Sequence, residues 1–318
     1  MISIVIPSFN RAEVICRAVD SALAQTFPHR EIIVVDDGST DDTAARLLPY
    51  GDQLRLLQKG NGGKSSAVNV GVREAKGDWI AILDSDDRWL PDKLEFQMKA
   101  LKRAGDAYGF CFTDAFYIGN SGGPQTVFER ASKRFNQEIA RIDNPVDYVL
   151  APPHGIYEQT ALIQKHLFKR CGEYDEQLQV GGDTDMIFRL ATKTRFLCLN
   201  QTLVEIDRGD DRQDGLIDIY RKQQEVLLSE RERMYGNWLG EFPLTPPQRG
   251  RVQNHLAEVH LGWANWHVLQ GQQGAAGRSL AKADQLRPSL KTKMKQLLAS
   301  YCSPLYRRMI KRKNSTQH

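Results

Sequence analysis

"NGGKSSAVNVGVREAKGDWIAILDSDD", residues 61–87, decides the fold. Its first part crowds glycines around a Gly63-Lys64-Ser65 triplet, as a phosphate-binding loop does. Its last part is an apolar run that ends on Asp84, Asp86 and Asp87. "SSAVNVGVREAK" reads as a helix capped by Ser65 or Ser66, and "GDWIAILDSDD" as a strand. A Walker A loop needs Gly, four residues, then Gly-Lys-Ser/Thr, because its backbone amides must wrap the phosphates. Five positions before Gly63 stands Gln58. No lone magnesium-binding Asp ends a downstream strand, so the triphosphatase reading is set aside.

The same alternation extends in both directions. "ISIVIP" and "EIIVVDDGS" are apolar, β-rich runs, and "QLRLLQK" is a third. Between them lie "AEVICRAVDSALAQ", with Val14, Ile15, Ala18 and Leu23 at helical spacing, and "TDDTAARLL", capped by Thr40 or Asp41. "LPDKLEFQMKALKRA" follows as another helix. Strand-helix alternation with short connections predicts an α/β domain, its mainly parallel sheet covered by helices on both faces. Such sheets bind ligands at the carboxyl ends of their strands. "PSFN", "DDGS" and "DSDD" all fall there.

Past residue 105 the pattern loosens. "YGFCFTDAFYI" and "RFLCLNQTLVEI" read as strands and "DTDMIFRLATKT" as a helix. From about residue 212 the chain reads as helix, broken at "EFPLTPPQRG". The expected division is a domain over 1–210 and a helical extension over 211–318. Within the extension, 252–288 matches one tetratricopeptide-like hairpin at Ala264, Gly271, Ala276, Leu280, Ala283 and Pro288. An ordinary helical hairpin is the alternative.

Charge separates the two parts. The chain of 318 residues has net charge +4, but residues 1–286 carry 34 basic and 39 acidic side chains. After Asp284 there are nine Lys and Arg and no acid. A mildly acidic body argues against a nucleic-acid-binding core, and a basic tail suggests contact with an anionic surface. The tail interleaves its charges with apolar residues such as Leu290, Met294, Leu297, Leu305 and Met309, as a segment lying on an anionic leaflet would. A solvated terminus is the plainer reading. Five scattered cysteines without a CxxC pair fit reduced thiols. No apolar run approaches the ~20 residues of a membrane helix. With no basic leader before "MISIVIPSFN", a cytoplasmic location is expected.

Asp84, Asp86 and Asp87 raise one another's pKa unless a cation intervenes. Their oxygens suit Mg²⁺ or Mn²⁺ bridged to a diphosphate. By themselves they could equally be a solvated helix cap. Their neighbours break the tie. "IVIPSFNR", "IIVVDDGSTDDT", "NGGKSSAVNVGVREAKGDWIAILDSDD" and "GEYDEQLQVGGDTDMIFRLA" occur in that order. This set resembles glycosyltransferase family 2, the inverting sugar-transferring enzymes of the GT-A fold, over about residues 1–208.

The resemblance implies roles. Pro7, Phe9 and Asp37 would hold the nucleotide base; the family's usual Tyr at position 9 is Phe here, which keeps the ring and loses the hydroxyl. Asn69 lies on the helix behind the nucleotide, and Lys64 would offset diphosphate charge. Asp84 and Asp86 match the DxD signature, with Asp86 or Asp87 as metal ligand and a neighbour at the ribose. Asp183 in "VGGDTDMIFRL" matches the general base, and Asp185 a further acid on the acceptor side. Gly182 stands where the family usually has Glu. Arg208 in "EIDRGDDRQ" matches a diphosphate contact, although the usual His is Asp210. His154 lies where the acceptor loop runs. The implied activity is inverting transfer from a nucleotide-sugar, in particular a UDP-sugar. The implied acceptor is a surface glycan or glycolipid, as in lipopolysaccharide or exopolysaccharide synthesis. The alternative is a decayed member that only binds glycans or partners.

Overall fold

The computed structural model describes residues 1–119, 125–208, 223–301 and 303–315. Two compact units emerge, 1–213 and 214–318. Asp210 and the expected boundary beside it lie outside the described residues.

Among the described residues, the first unit is built on one ten-stranded sheet. Its first half comprises β1 (Ile2–Ser8), β2 (Arg30–Asp36), β3 (Arg55–Gln58) and β4 (Trp79–Ile82). They stand in the order β3-β2-β1-β4, all parallel. All seven residues of β1 are buried, as a strand covered on both faces requires. Helices α1 (Ile15–Leu23), α2 (Thr43–Leu47) and α3 (Lys64–Glu74) make the crossovers. A Cβ on Gly71 would lie 2.3 Å from Val5 Cγ1, so glycine is what allows α3 to lie directly on β1.

Beyond β4 the sheet is mixed. Next come the short β5 (Arg88–Trp89), then α4 (Lys93–Ala104), β6 (Tyr108–Ile118), β7 (Gln125–Thr126) and α5 (Val127–Arg130). These are followed by β8 (Ile139–Ile142), α6 (Pro145–Val149), β9 (Ala161–Gln164), α7 (Lys165–Cys171), α8 (Gly182–Ala191) and β10 (Arg195–Asp207). Strand β9 runs antiparallel between β4 and β6, while β6 and β10 are parallel. Phe110 on β6 stacks on Phe196 of β10 at 4.1 Å. Both rings are fully buried, and such burial stabilises by about 1.5–3 kcal/mol each.

Two expected caps are corrected. Helix α3 starts at Lys64, with Gly63 at the N-cap in a left-handed conformation (φ +86°) that favours glycine. Ser65 and Ser66 therefore fall inside the helix and are buried. Helix α2 has Asp42 at its N-cap position; Asp41 instead accepts hydrogen bonds from the Ala12 and Thr43 amides.

The second unit is helical: α9 (Gln224–Glu241), α10 (Pro246–Leu269), α11 (Gln273–Leu286), α12 (Leu290–Tyr301) and α13 (Ser303–Ser315). A Thr245–Gln248 capping box and Pro246 start α10. Gly271, at φ +79°, turns α10 into α11. Ala264, Val268, Ala276 and Leu280 line this hairpin and pack with Ala299, Tyr306 and Ile310 from the last two helices. Those helices also show an outer apolar face, with Leu290 77% and Leu297 60% exposed. Among the described residues, no helix is long and apolar enough to cross a membrane.

Candidate active site

The carboxyl ends of β1, β2 and β4 converge, as the sequence required. Pro7 in β1 is buried, and Phe9, just past the strand's end, is 42% exposed. Arg208 follows β10. Its amide donates to the Ile118 carbonyl, and its guanidinium lies 5.9 Å from the centre of the Tyr117 ring.

The loop that looked like a phosphate cradle does bind an anion, and the anion is the protein's own. The amides of Gly62 and Gly63 donate to the Asp37 carboxylate at 3.0 and 2.7 Å. Lys59 Nζ adds a third contact at 2.6 Å. Asp37 is 2% exposed. Its direct partners are thus the loop and Lys59, and Asp37 shapes the loop that leads into α3.

Asp84, Asp86 and Asp87 follow β4, and their carboxylate oxygens lie within 4.8 Å of one another. Three hard oxygen donors this close suit a Mg²⁺- or Mn²⁺-sized ion. Asp87 is the most enclosed. It accepts from Gln159 Nε2 at 2.7 Å and from the Asp207 amide at 2.9 Å. Burial and the neighbouring Asp84 and Asp86 push its carboxyl well above the usual range. That is the signature of a donor set short of positive charge.

Lys64, at the first position of α3, supplies part of that charge. Its ammonium lies 2.5 Å from Asp84 Oδ1 and also pairs with Glu158. Burial would lower its pKa, but Asp84, Glu158 and Asp183 together hold it well above the ordinary lysine value. Glu158 is 3% exposed and accepts a hydrogen bond from the buried Tyr174 hydroxyl at 3.0 Å. Its pKa is raised to about 7 by burial, with Asp84 and Asp183 adding to the rise and Lys64 opposing it.

Asp183 sits in the first turn of α8, partly exposed. Its Oδ1 accepts from the Thr184 amide at 2.6 Å, which fixes the side chain. Lys64, Glu158, Tyr174 and His154 all feel its charge. His154 accepts from the Ile156 amide through Nδ1, and burial lowers its pKa despite Asp183. A Cβ on Gly182 would fall 2.7 Å from Ser65 Oγ, a hydroxyl held on the Leu178 carbonyl. Position 182 therefore has no room for a carboxylate side chain unless Ser65 moves.

Two further residues singled out in the sequence are held by protein partners. Asn69 is 2% exposed, and its amide group donates to the Tyr174 carbonyl and Glu176 and accepts from the Tyr174 amide. It clamps α3 to the 172–176 segment. Asp185 pairs with Arg189 at 2.7 Å, and Arg189 donates on to the Cys171 carbonyl. Both side chains are buried, so this acid ties α8 to the end of α7.

Glu158, Gln159 and Tyr174 were missed in the sequence. Their signal was weak: a Glu-Gln pair in the otherwise apolar "GIYEQTALI". Glu158 and Gln159 are placed by β9, whose antiparallel pairing with β4 brings the turn before β9 beside the acids after β4, and Tyr174 follows α7.

The description Glycosyl transferase family 2 matches residues 3–164, half of the chain. The chain belongs to glycosyltransferase family 2. An uncharacterized glycosyltransferase of Rickettsia prowazekii is 35% identical over 246 residues, 72% of this chain and 75% of that one. The chondroitin synthase of Pasteurella multocida is 44% identical over 277 residues, 81% of this chain but 26% of the synthase. The chain likewise spans 58% of a Rickettsia typhi relative. Among solved structures, S. aureus TarS 1–349 in complex with UDP-GlcNAc superposes with a TM-score of 0.68 at 18% identity, covering 100% of this chain and 92% of that one. This likeness shows a GT-A glycosyltransferase fold.

Proposed function

We propose that this family 2 protein moves a sugar from a UDP-linked donor to a hydroxyl of a growing surface glycan or glycolipid, in one in-line displacement with inversion. The observation that carries the reading is the meeting of the Asp84–Asp86–Asp87 cluster and Asp183 around one lysine, Lys64. The UDP-GlcNAc held by TarS and the glycan named by chondroitin synthase support the donor and acceptor classes.

Phe9 offers its exposed ring to the base beside Pro7. Asp84 and Asp86 face the ribose and diphosphate, with Lys64 and Arg208 opposite their negative charge. Asp86 and Asp87, with Asp84 beside them, would hold a divalent cation, which supplies charge for the departing nucleoside diphosphate. Asp183 takes the proton of the acceptor hydroxyl through Oδ2, which accepts no hydrogen bond among the described residues. His154 lies on the acceptor side. Nothing else in this scheme must donate a proton, since a diphosphate leaves as an anion.

The outer face of α12 and α13 suits the inner leaflet of an anionic membrane. Exposed Leu290, Met294, Leu297, Leu305 and Met309 alternate there with a run of positive charge and no acid. A lipid-linked acceptor would be met at that surface.

The test is nucleotide release from a panel of UDP-, GDP- and dTDP-sugars, with Mg²⁺, Mn²⁺ or EDTA. Metal-dependent UDP release from one or more UDP-sugars is expected. Release from GDP- or dTDP-sugars alone would overturn the donor assignment, and no release from any donor would overturn the transferase reading.

A further inference from the structure

Lys64 has two anionic partners of different kinds. Asp84 belongs to the carboxylate cluster suited to a divalent cation, and it is partly exposed. Glu158 comes from the turn before β9, is 3% exposed and lies outside that cluster. A cation that binds the cluster competes with the Lys64 ammonium for Asp84. Lys64 then keeps a single strong partner, Glu158.

We infer that Glu158 is a positioning residue for the transfer reaction: it retains the Lys64 ammonium at the site, facing the donor diphosphate, once a divalent cation occupies the Asp84 cluster. This rests on the donor and metal reading above. Three features fit Glu158 for the task. The Tyr174 hydroxyl fixes one of its oxygens. Asn69 holds the Tyr174 backbone from both sides, through its amide and its carbonyl. Asn69 and Lys64 stand on the same helix, α3, so the support and the supported group move together. A buried carboxylate pinned in this way is a poor solvent-facing ligand and a good anchor for a cation.

The position of Glu158 also explains why Lys64 needs an anchor. Lysine is flexible and strongly hydrated. Released from Asp84 with no second partner, it would turn to solvent, and the diphosphate would meet the carboxylates with less compensation. The groups facing this pair are Asp84 at the end of β4, Tyr174 after α7, Asp183 on α8, and His154 through Asp183.

The experiment is calorimetry at pH 8 on wild type, Glu158→Gln, Lys64→Gln and the double variant, with two titrants: Mn²⁺ alone, and UDP in saturating Mn²⁺. Gln keeps the shape of Glu and can still accept from Tyr174, and thermal melts confirm that each variant folds. For UDP, each single variant should bind at least about tenfold more weakly, and the double no more weakly than Lys64→Gln, because Glu158 acts through Lys64. For Mn²⁺ alone the two variants should move in opposite directions. Lys64→Gln removes the competitor for Asp84 and tightens binding; Glu158→Gln leaves Lys64 committed to Asp84 and weakens it. General loosening of the site would weaken both. Wild-type affinity for UDP in Glu158→Gln, additive losses in the double variant, or Mn²⁺ shifts of the same sign would each overturn the inference while leaving the donor reading standing. A wild type that binds no UDP with Mn²⁺ would overturn the donor reading, and the inference with it.

Discussion

Lys64 Nζ lies 2.5 Å from Asp84 and contacts Glu158 on a different element, so one ammonium joins the end of β4 to the turn before β9. The acids that surround it are spread over 100 residues of sequence and meet only through the sheet. Their charges are coupled, and the coupling has consequences for stability and for binding.

Glu158 has a pKa raised to about 7 from the ordinary glutamate value near 4.5. Between those values the metal-free folded protein holds a proton that the unfolded chain has lost. The stabilisation is complete below about pH 4.5, falls as pH rises, and is gone above about pH 7. Urea unfolding at several pH values, without metal, should show a slope of up to about 1.4 kcal/mol per pH unit in wild type relative to Glu158→Gln. Parallel stability curves for the two proteins would refute the shift.

Asp86→Ala should weaken metal-enhanced nucleotide binding, because the diphosphate then faces Asp84 and Asp87 with less compensation. Calorimetry of UDP with and without Mn²⁺ reads it directly. An unchanged Mn²⁺ enhancement would remove Asp86 as a ligand and leave Asp87. That residue already accepts hydrogen bonds at both oxygens.

Deleting the basic tail is a poor test of membrane contact, since Tyr306 and Ile310 belong to the helical core. Replacing the exposed Leu290, Met294 and Leu297 by Gln spares that core. Wild type should co-sediment with vesicles containing anionic lipid at low salt and less so at high salt, each engaged Lys or Arg contributing up to ~1 kcal/mol. The triple variant should bind less. Equal sedimentation of both proteins, or none of either, would rule the face out as an anchor.

The parallel half of the sheet was legible because its strands are apolar runs separated by helical periodicity, with acids where each strand stops. "YGFCFTDAFYI" was legible for the same reason and is β6. The antiparallel β9 was not, because the four residues Ala161–Gln164 carry no alternation of their own. That one strand brings Glu158 and Gln159 to the acids, so the second layer of the site was hidden with it. Asn69 and Asp37 stood out in the sequence, but their protein contacts did not. A single residue type fits ligand and protein partners equally well, and only the fold showed that Gly62, Gly63 and Tyr174 were within reach. Gly182 could be read as a departure from the family pattern; its packing against Ser65, 117 positions earlier in the chain, could not.

In the proposed metal-assisted transfer, Asp183 removes the acceptor proton. The most direct measurement is turnover of purified Asp183→Asn on the active UDP-sugar and an acceptor glycan, beside UDP affinity in Mn²⁺. The amide keeps the shape of the side chain and cannot take a proton. Transfer should fall by ~10²–10⁴-fold with UDP affinity nearly unchanged. Turnover near the wild-type rate would contradict it.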